Sequence, residues 1–246
     1  PGTPSGAAAP AASPAGPSPL PTEGIVFPGP EENVTLRGAW AAAPDPRGAV
    51  LVIHENRGLN DHTRSVAGRL AASGYSALAL DLLSREGGTD SFGDTAEVTA
   101  ALGGIPQDHF AADMKAALDE LERRVPGAKL GAIGFCFGGG MTWLLLSSDE
   151  PRLAAAAPFY GPLPDDADFT GSRAAVLAVY AELDSRVNAT RDKAKAALER
   201  AGLEHEIVTF PGVDHAFFND TGPRYDAGAA AQAYQRVLDW FGRHLT

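Results

Sequence analysis

One heptapeptide constrains this chain more than any other stretch: Gly134-Phe135-Cys136-Phe137-Gly138-Gly139-Gly140, which carries its only cysteine. An apolar run over 130–133 precedes it and a helical run over 141–147 follows. Strand, sharp glycine-flanked turn and helix in that order form a nucleophile elbow, here with Cys where Ser is usual. The glycines answer a steric need. The central residue takes a strained backbone conformation, and strand and helix approach too closely for side chains on its neighbours. Such a turn aims the sulfur over the helix N-terminus, where the dipole and unpaired N–H groups favour a thiolate. A buried, inert cysteine in a glycine-rich turn fits the same residues, so later segments have to decide.

Two segments supply partners. Residues 173–180 read as a buried strand running into Ala181-Glu182-Leu183-Asp184-Ser185, and 206–210 as the next, running into Pro211-Gly212-Val213-Asp214-His215. Asp184 and His215 therefore follow the C-terminal ends of strands, the edge where open α/β sheets assemble their sites. Asp184 also suits a turn, because Asp bonds its own backbone there. Glu182 and Asp214 stand close by as alternative carboxylates, and His54, His62, His109, His205 and His244 are rival histidines. What singles out Cys136, Asp184 and His215 is that three suitable residue types, all at strand ends, follow the nucleophile–acid–base order of α/β-hydrolases. In such a set His215 takes the thiol proton, while Asp184 fixes the imidazole tautomer and stabilises the imidazolium.

The rest of the chain alternates. Residues 24–27 and 34–42 read as an opening antiparallel pair, and 49–54, 76–80, 129–135, 154–160, 174–180 and 204–210 as strands. Helical stretches fall at 61–73, 108–125, 189–201 and 226–245. Buried strands alternating with helices predict an α/β fold, a mainly parallel sheet covered on both faces. Residues 84–105, rich in Gly and acid without a clear period, are expected to run over the site as a candidate lid. Residues 23–246 suit one domain. Residues 1–22 have the Pro/Ala/Ser-rich composition of a disordered tail or linker and are not expected to build core. A tail of that kind ahead of a folded enzyme gives the further expectation of an extracytoplasmic or secreted protein, with a cytoplasmic one as the alternative.

With these segments in place, the chain resembles the dienelactone hydrolase (carboxymethylenebutenolidase) family of the α/β-hydrolase superfamily. The resemblance rests on Gly134-Phe135-Cys136-Phe137-Gly138-Gly139, Val52-Ile53-His54-Glu55-Asn56-Arg57-Gly58-Leu59-Asn60, Leu80-Asp81-Leu82-Leu83-Ser84-Arg85 and Asp214-His215-Ala216-Phe217. It implies that Glu55 is the carboxylate that contacts the resting thiol and keeps it neutral until substrate arrives. A Glu at the end of the buried run 50–53 agrees, being poorly explained by surface solvation. The oxyanion hole would use the backbone N–H groups of Phe137 and Asn56. The resemblance also implies two arginines that bind an acidic lactone. Arg85 takes the first position, whereas the second is Asn219, with Arg224 nearby in the next loop as a substitute or as a partner for Asp220 or Asp226. That departure leaves hydrolase chemistry in place and the dienelactone itself in doubt. His54 and Arg57, beside Glu55, either tune pocket polarity or face solvent. The Phe159-Tyr160-Gly161-Pro162 segment and Phe217 and Phe218 either line an acyl pocket or pack the core, and Trp143 reads as core.

The expected reaction is hydrolysis of a small-molecule ester or lactone through a thioester on Cys136, with no cofactor and no metal. A general carboxylesterase and a non-catalytic small-molecule-binding protein on the same scaffold are the alternatives, the complete Cys/Asp/His set speaking against the second. A net charge of −11 argues against nucleic acid, whose binding rests on basic residues at the phosphates. No apolar run approaches the ~20 residues of a membrane span. No phosphate-binding or dinucleotide glycine fingerprint follows the first strand, and no Cys/His cluster suggests zinc. One cysteine leaves no intramolecular partner for redox chemistry.

Overall fold

The computed structural model describes residues 15–246. The strands are β1 (Glu23–Pro28), β2 (Thr35–Ala41), β3 (Ala49–Ile53), β4 (Ser76–Leu80), β5 (Leu130–Phe135), β6 (Leu153–Phe159), β7 (Ala175–Ala181) and β8 (His205–Phe210). The helices are α1 (Asp61–Ala72), α2 (Thr95–Gly103), α3 (Gln107–Arg124), α4 (Phe137–Leu146), α5 (Ser185–Asn188), α6 (Arg191–Ala201) and α7 (Ala227–His244). The strands form one sheet ordered β1-β2-β4-β3-β5-β6-β7-β8. β1 and β2 pair antiparallel, as do β2 and β4, and from β4 to β8 every pairing is parallel.

Why the central strands read as unbroken apolar runs is visible in β3. Leu51 and Ile53 face a core shared with α3 and α4, while Val50 and Val52 face one shared with α1 and α7. Successive side chains point to opposite faces, so a strand covered on both sides must be apolar at every position. The parallel order carries the C-terminal ends of β3, β5, β7 and β8 to one edge, with β3 and β5 adjacent in the register Ile53↔Gly134.

Two expectations need correction. The last part of the 1–22 segment does join the body. Ala15 is 2% exposed, its carbonyl accepts from Arg69 Nη1 across 2.8 Å, and the Leu20 N–H donates to the Gly68 carbonyl at 3.0 Å. The reason lies in α1 rather than in the tail. A Cβ on Gly68 would sit 2.3 Å from the Leu20 oxygen, so the bare glycine admits the backbone, and buried Arg69 needs the acceptor that Ala15 supplies. Residues 1–14, the rest of the expected tail, lie outside the described residues. The second correction concerns 84–105, which folds into 3₁₀ turns at Ser84–Glu86 and Thr89–Ser91 and then into α2. Asp94 caps α2 by accepting from the Glu97 N–H. Only Val98 and Leu102 of α2 are buried, too narrow a stripe to show as a period.

Candidate active site

The backbone at the elbow comes first. Cys136 has φ 59° and ψ −118°, a positive φ that L-residues adopt only under constraint. Its N–H donates to the Phe159 carbonyl at 3.0 Å. Gly134 and Gly138 make the turn possible. A Cβ on Gly134 would lie 2.0 Å from the Gly138 oxygen, and one on Gly138 would lie 2.1 Å from the Ile53 oxygen. Any side chain at either position would push apart β5, α4 and β3.

Behind the sulfur the structure assembles the expected line. His215 Nε2 lies 3.0 Å from Cys136 Sγ, and His215 Nδ1 donates to Asp184 Oδ2 at 2.6 Å. Asp184 is also a turn residue, since its Oδ1 accepts from the Val187 N–H that opens α5 while its Oδ2 faces His215. The rivals are placed elsewhere. Glu182 accepts from the Gly212 N–H, and Asp214 accepts from the His215 N–H. Burial opposes a charge on His215, but the Asp184 hydrogen bond and the Cys136 sulfur outweigh it and push its pKa up to about 9.

Glu55 sits at the same edge and is 7% exposed. The expected contact with the thiol is not made. Its Oε1 accepts instead from Asn219 Nδ2 at 2.6 Å, and the sulfur is bonded to His215. The physical reason is the residue at 219: an amide there reaches the carboxylate directly, and its Oδ1 is fixed in turn by the Thr221 N–H and hydroxyl at 2.9 and 2.6 Å. Burial raises the Glu55 pKa above its ordinary value, against the Asn219 bond and the nearby His215, Arg57 and Arg224. The loop that places Glu55 is held by His54, which is fully buried. The Leu82 N–H donates to Nε2 at 3.0 Å, so the proton resides on Nδ1 and is donated to the Glu55 carbonyl at 2.7 Å. Burial lowers the His54 pKa and keeps this neutral form.

A cavity of about 1100 Å³ opens over Cys136. Phe137 and Asn56 line it, and so do Arg57 and Arg224. Phe137, as the first residue of α4, has no carbonyl one turn back to receive its N–H. Helix α2 forms one wall, and its Thr99 hydroxyl donates to the Asn56 carbonyl at 2.9 Å. Arg85 is not brought to the site. Its guanidinium forks onto Asp113 at 2.8 and 3.1 Å and reaches Glu31 at 3.0 Å, because Asp113 on α3 is buried and needs a counter-charge. Asn219 does border the cavity, but its amide is committed to Glu55 and Thr221. Arg224 is paired with neither Asp220, which is held by His62 and Arg69, nor Asp226, which caps α7. The aromatic residues Phe159, Tyr160, Phe217 and Phe218 are packed together in the core behind His215, with only Pro162 of that segment reaching the cavity. Trp143 is core and stacks on Phe169. Among the described residues no three His, Cys, Asp or Glu side chains cluster as metal ligands, and no helix is long and apolar enough to cross a membrane.

Sheet order, elbow and strand-end site together define an α/β-hydrolase fold. The sequence profile of the dienelactone hydrolase family matches residues 36–245. A Salmonella typhi protein provisionally named a carboxymethylenebutenolidase is 32% identical over 96% of this chain and 95% of its own length. A Klebsiella pneumoniae structure, provisionally described as a dienelactone hydrolase, is 27% identical with a TM-score of 0.77 over 92% of this chain and all of its own. The dienelactone hydrolase of Anabaena variabilis, at 22% identity, shares the fold with a TM-score of 0.73 over 93% of this chain and 100% of its own. The chain belongs to the dienelactone hydrolase family, and is a hydrolase acting on esters or lactones.

Proposed function

We propose that the protein hydrolyses an activated ester or lactone through a Cys136 thioester. The observation that carries this reading is the unbroken line Asp184–His215–Cys136, with links of 2.6 and 3.0 Å. His215 Nε2 holds the proton taken from the thiol, and an electron pair of the resulting thiolate forms a bond to the substrate carbonyl carbon. Charge gathers on the carbonyl oxygen, for which the N–H groups of the cavity-lining Phe137 and Asn56 are the donors in this reading. Collapse of that oxyanion breaks the carbon–oxygen bond, and the His215 imidazolium protonates the departing alkoxide. Water then attacks the thioester while His215 takes its proton. Collapse releases the acid, and the thiolate recovers its hydrogen bond from His215. Thiolate leaves more readily than an amine, so strained or activated carbonyls suit this centre better than amides.

Arg57 and Arg224 make the cavity hospitable to a carboxylate on the substrate. With Arg85 held by Asp113 and Asn219 held by Glu55, the acidic dienelactone itself is supported less well than a broader ester class. The test is release of p-nitrophenol from p-nitrophenyl acetate by the intact chain, with and without one equivalent of iodoacetamide, beside Cys136→Ala. Loss of turnover on both alkylation and substitution is the expected result. Turnover that survives the loss of Cys136 would overturn the mechanism, and a folded but inert wild-type protein would favour a binding role.

A further inference from the structure

Behind Glu55, on the side away from the cavity, lies a second carboxylate–histidine pair that the hydrolytic mechanism does not use. His62, in the first turn of α1, is 4% exposed. Its Nδ1 meets Asp220 Oδ1 at 3.2 Å. Asp220 Oδ2 is in turn held by Arg69 Nη2 at 3.0 Å, so a carboxyl oxygen faces Nδ1 as an acceptor and His62 carries its proton there. The other ring nitrogen, Nε2, is buried with no hydrogen-bond partner, and the polar atom it faces is Glu55 Oε1, 3.9 Å away. At 3.9 Å the two are beyond hydrogen-bond distance, so Nε2 is left an unmatched buried acceptor, a cost that a proton brought between them would remove.

We propose that His62 is a positioning residue for Glu55: anchored by Asp220, its Nε2 accepts the carboxylic proton of Glu55 and keeps that acid neutral and turned away from the sulfur. The catalytic meaning rests on the reading of Cys136 as nucleophile. A neutral Glu55 adds no further negative charge beside the thiolate, and a proton offered to Nε2 would draw its carboxyl in from 3.9 Å toward His62 while Asn219 holds the other side. The charged and titratable groups facing the pair are Asp220 and Arg69 on one side and His215, Arg57, Arg224 and Tyr160 on the other. Burial moves His62 down and Glu55 up, each toward its uncharged form. One loop thus serves three purposes, offering His215 to the sulfur, Asn219 to Glu55 and Asp220 to His62.

The test needs no turnover. Infrared spectra of the full-length wild-type chain should show a neutral carboxylic C=O band that is absent from Glu55→Gln. In His62→Leu that band should move to higher frequency, as for an acid whose O–H has lost its acceptor. Nitrogen-15 NMR of the unsubstituted protein should show His62 as a neutral Nδ1–H ring with an accepting Nε2, which decides the matter even if His62→Leu does not fold. An imidazolium or an Nε2–H tautomer at His62, no band assignable to Glu55, or a band unmoved in His62→Leu would each overturn the proposal. Retained turnover in Cys136→Ala would sink the cysteine mechanism and leave all of these spectra unchanged.

Discussion

Asn219 donates its side-chain amide to Glu55 across 2.6 Å, and this one bond separates a buried carboxyl from the sulfur it was expected to touch. The bond favours the ionised form of Glu55 while burial disfavours it, with burial the larger effect. Replacing Asn219 with Leu removes the donor and dries the site, so both changes act in the same direction. The Glu55 midpoint is expected to rise by roughly one pH unit, the scale of a hydrogen bond to a charged group. Titration of its carboxylic infrared band checks this, and a midpoint that stays or falls would refute it.

Asp184→Asn addresses the triad. Asn can still accept from the Val187 N–H that Asp184 caps, so α5 should keep its start and the protein its fold. What is lost is the anion that supports a proton on His215. The expected outcome is a kcat lower by roughly 10²- to 10⁴-fold, the usual range for disabling a general acid–base group. The His215 pKa, followed by NMR, should fall in the same variant. Normal turnover with an unshifted imidazole would show that Asp184 is only a helix cap.

Much of this site was legible because its chemistry requires rare residue types in fixed local settings. A positive-φ residue flanked by Gly134 and Gly138 can be recognised from sequence, since backbone contacts of 2.0–2.1 Å leave no room for a Cβ. Fully buried strands such as β3 announce themselves by being apolar at every position. What was not legible depends on which of several partners a polar side chain chooses. Arg85 follows β4 as a substrate arginine would, yet Asp113, 28 residues later, claims it. His62 and Asp220 are 158 positions apart, and nothing local marks either as a neighbour of Glu55. Helix α2 was hidden for another reason: only Val98 and Leu102 reach the core while most of its residues face the cavity or solvent, so selection for apolar periodicity is weak there.

The two arginines most easily confused should separate cleanly. Arg224 borders the cavity and forms no ion pair among the described residues, whereas Arg85 neutralises buried Asp113. Arg224→Ala is expected to raise KM about tenfold for an ester bearing a carboxylate, the worth of one charged contact, and to leave KM for p-nitrophenyl acetate unchanged. Arg85→Ala should instead lower stability by about 3 kcal/mol, because it strands a buried charge. Denaturant melts and steady-state kinetics on both variants decide the matter. A KM effect from Arg85 and a stability effect from Arg224 would reverse the assignment made here.

His215 makes the fold itself sensitive to alkali. Its pKa stands at about 9 in the folded protein against 6.5 for the ordinary side chain. A folded pKa above the unfolded one means the native state binds the extra proton between these values, so stability falls as pH rises. The contribution is present in full below pH 6.5 and is lost progressively as the pH climbs through 9. Its size is on the order of 3 kcal/mol from the spacing of the two values, and the side chain is only 21% exposed, so solvent screening removes little of it. His215→Gln keeps a polar side chain beside Asp184 but cannot titrate. The stability difference between wild type and this variant, from urea melts at a series of pH values, should be flat below pH 6.5 and shrink toward pH 9. A difference that is constant across that window, or that grows with pH, would show that Asp184 and Cys136 do not hold the proton on His215.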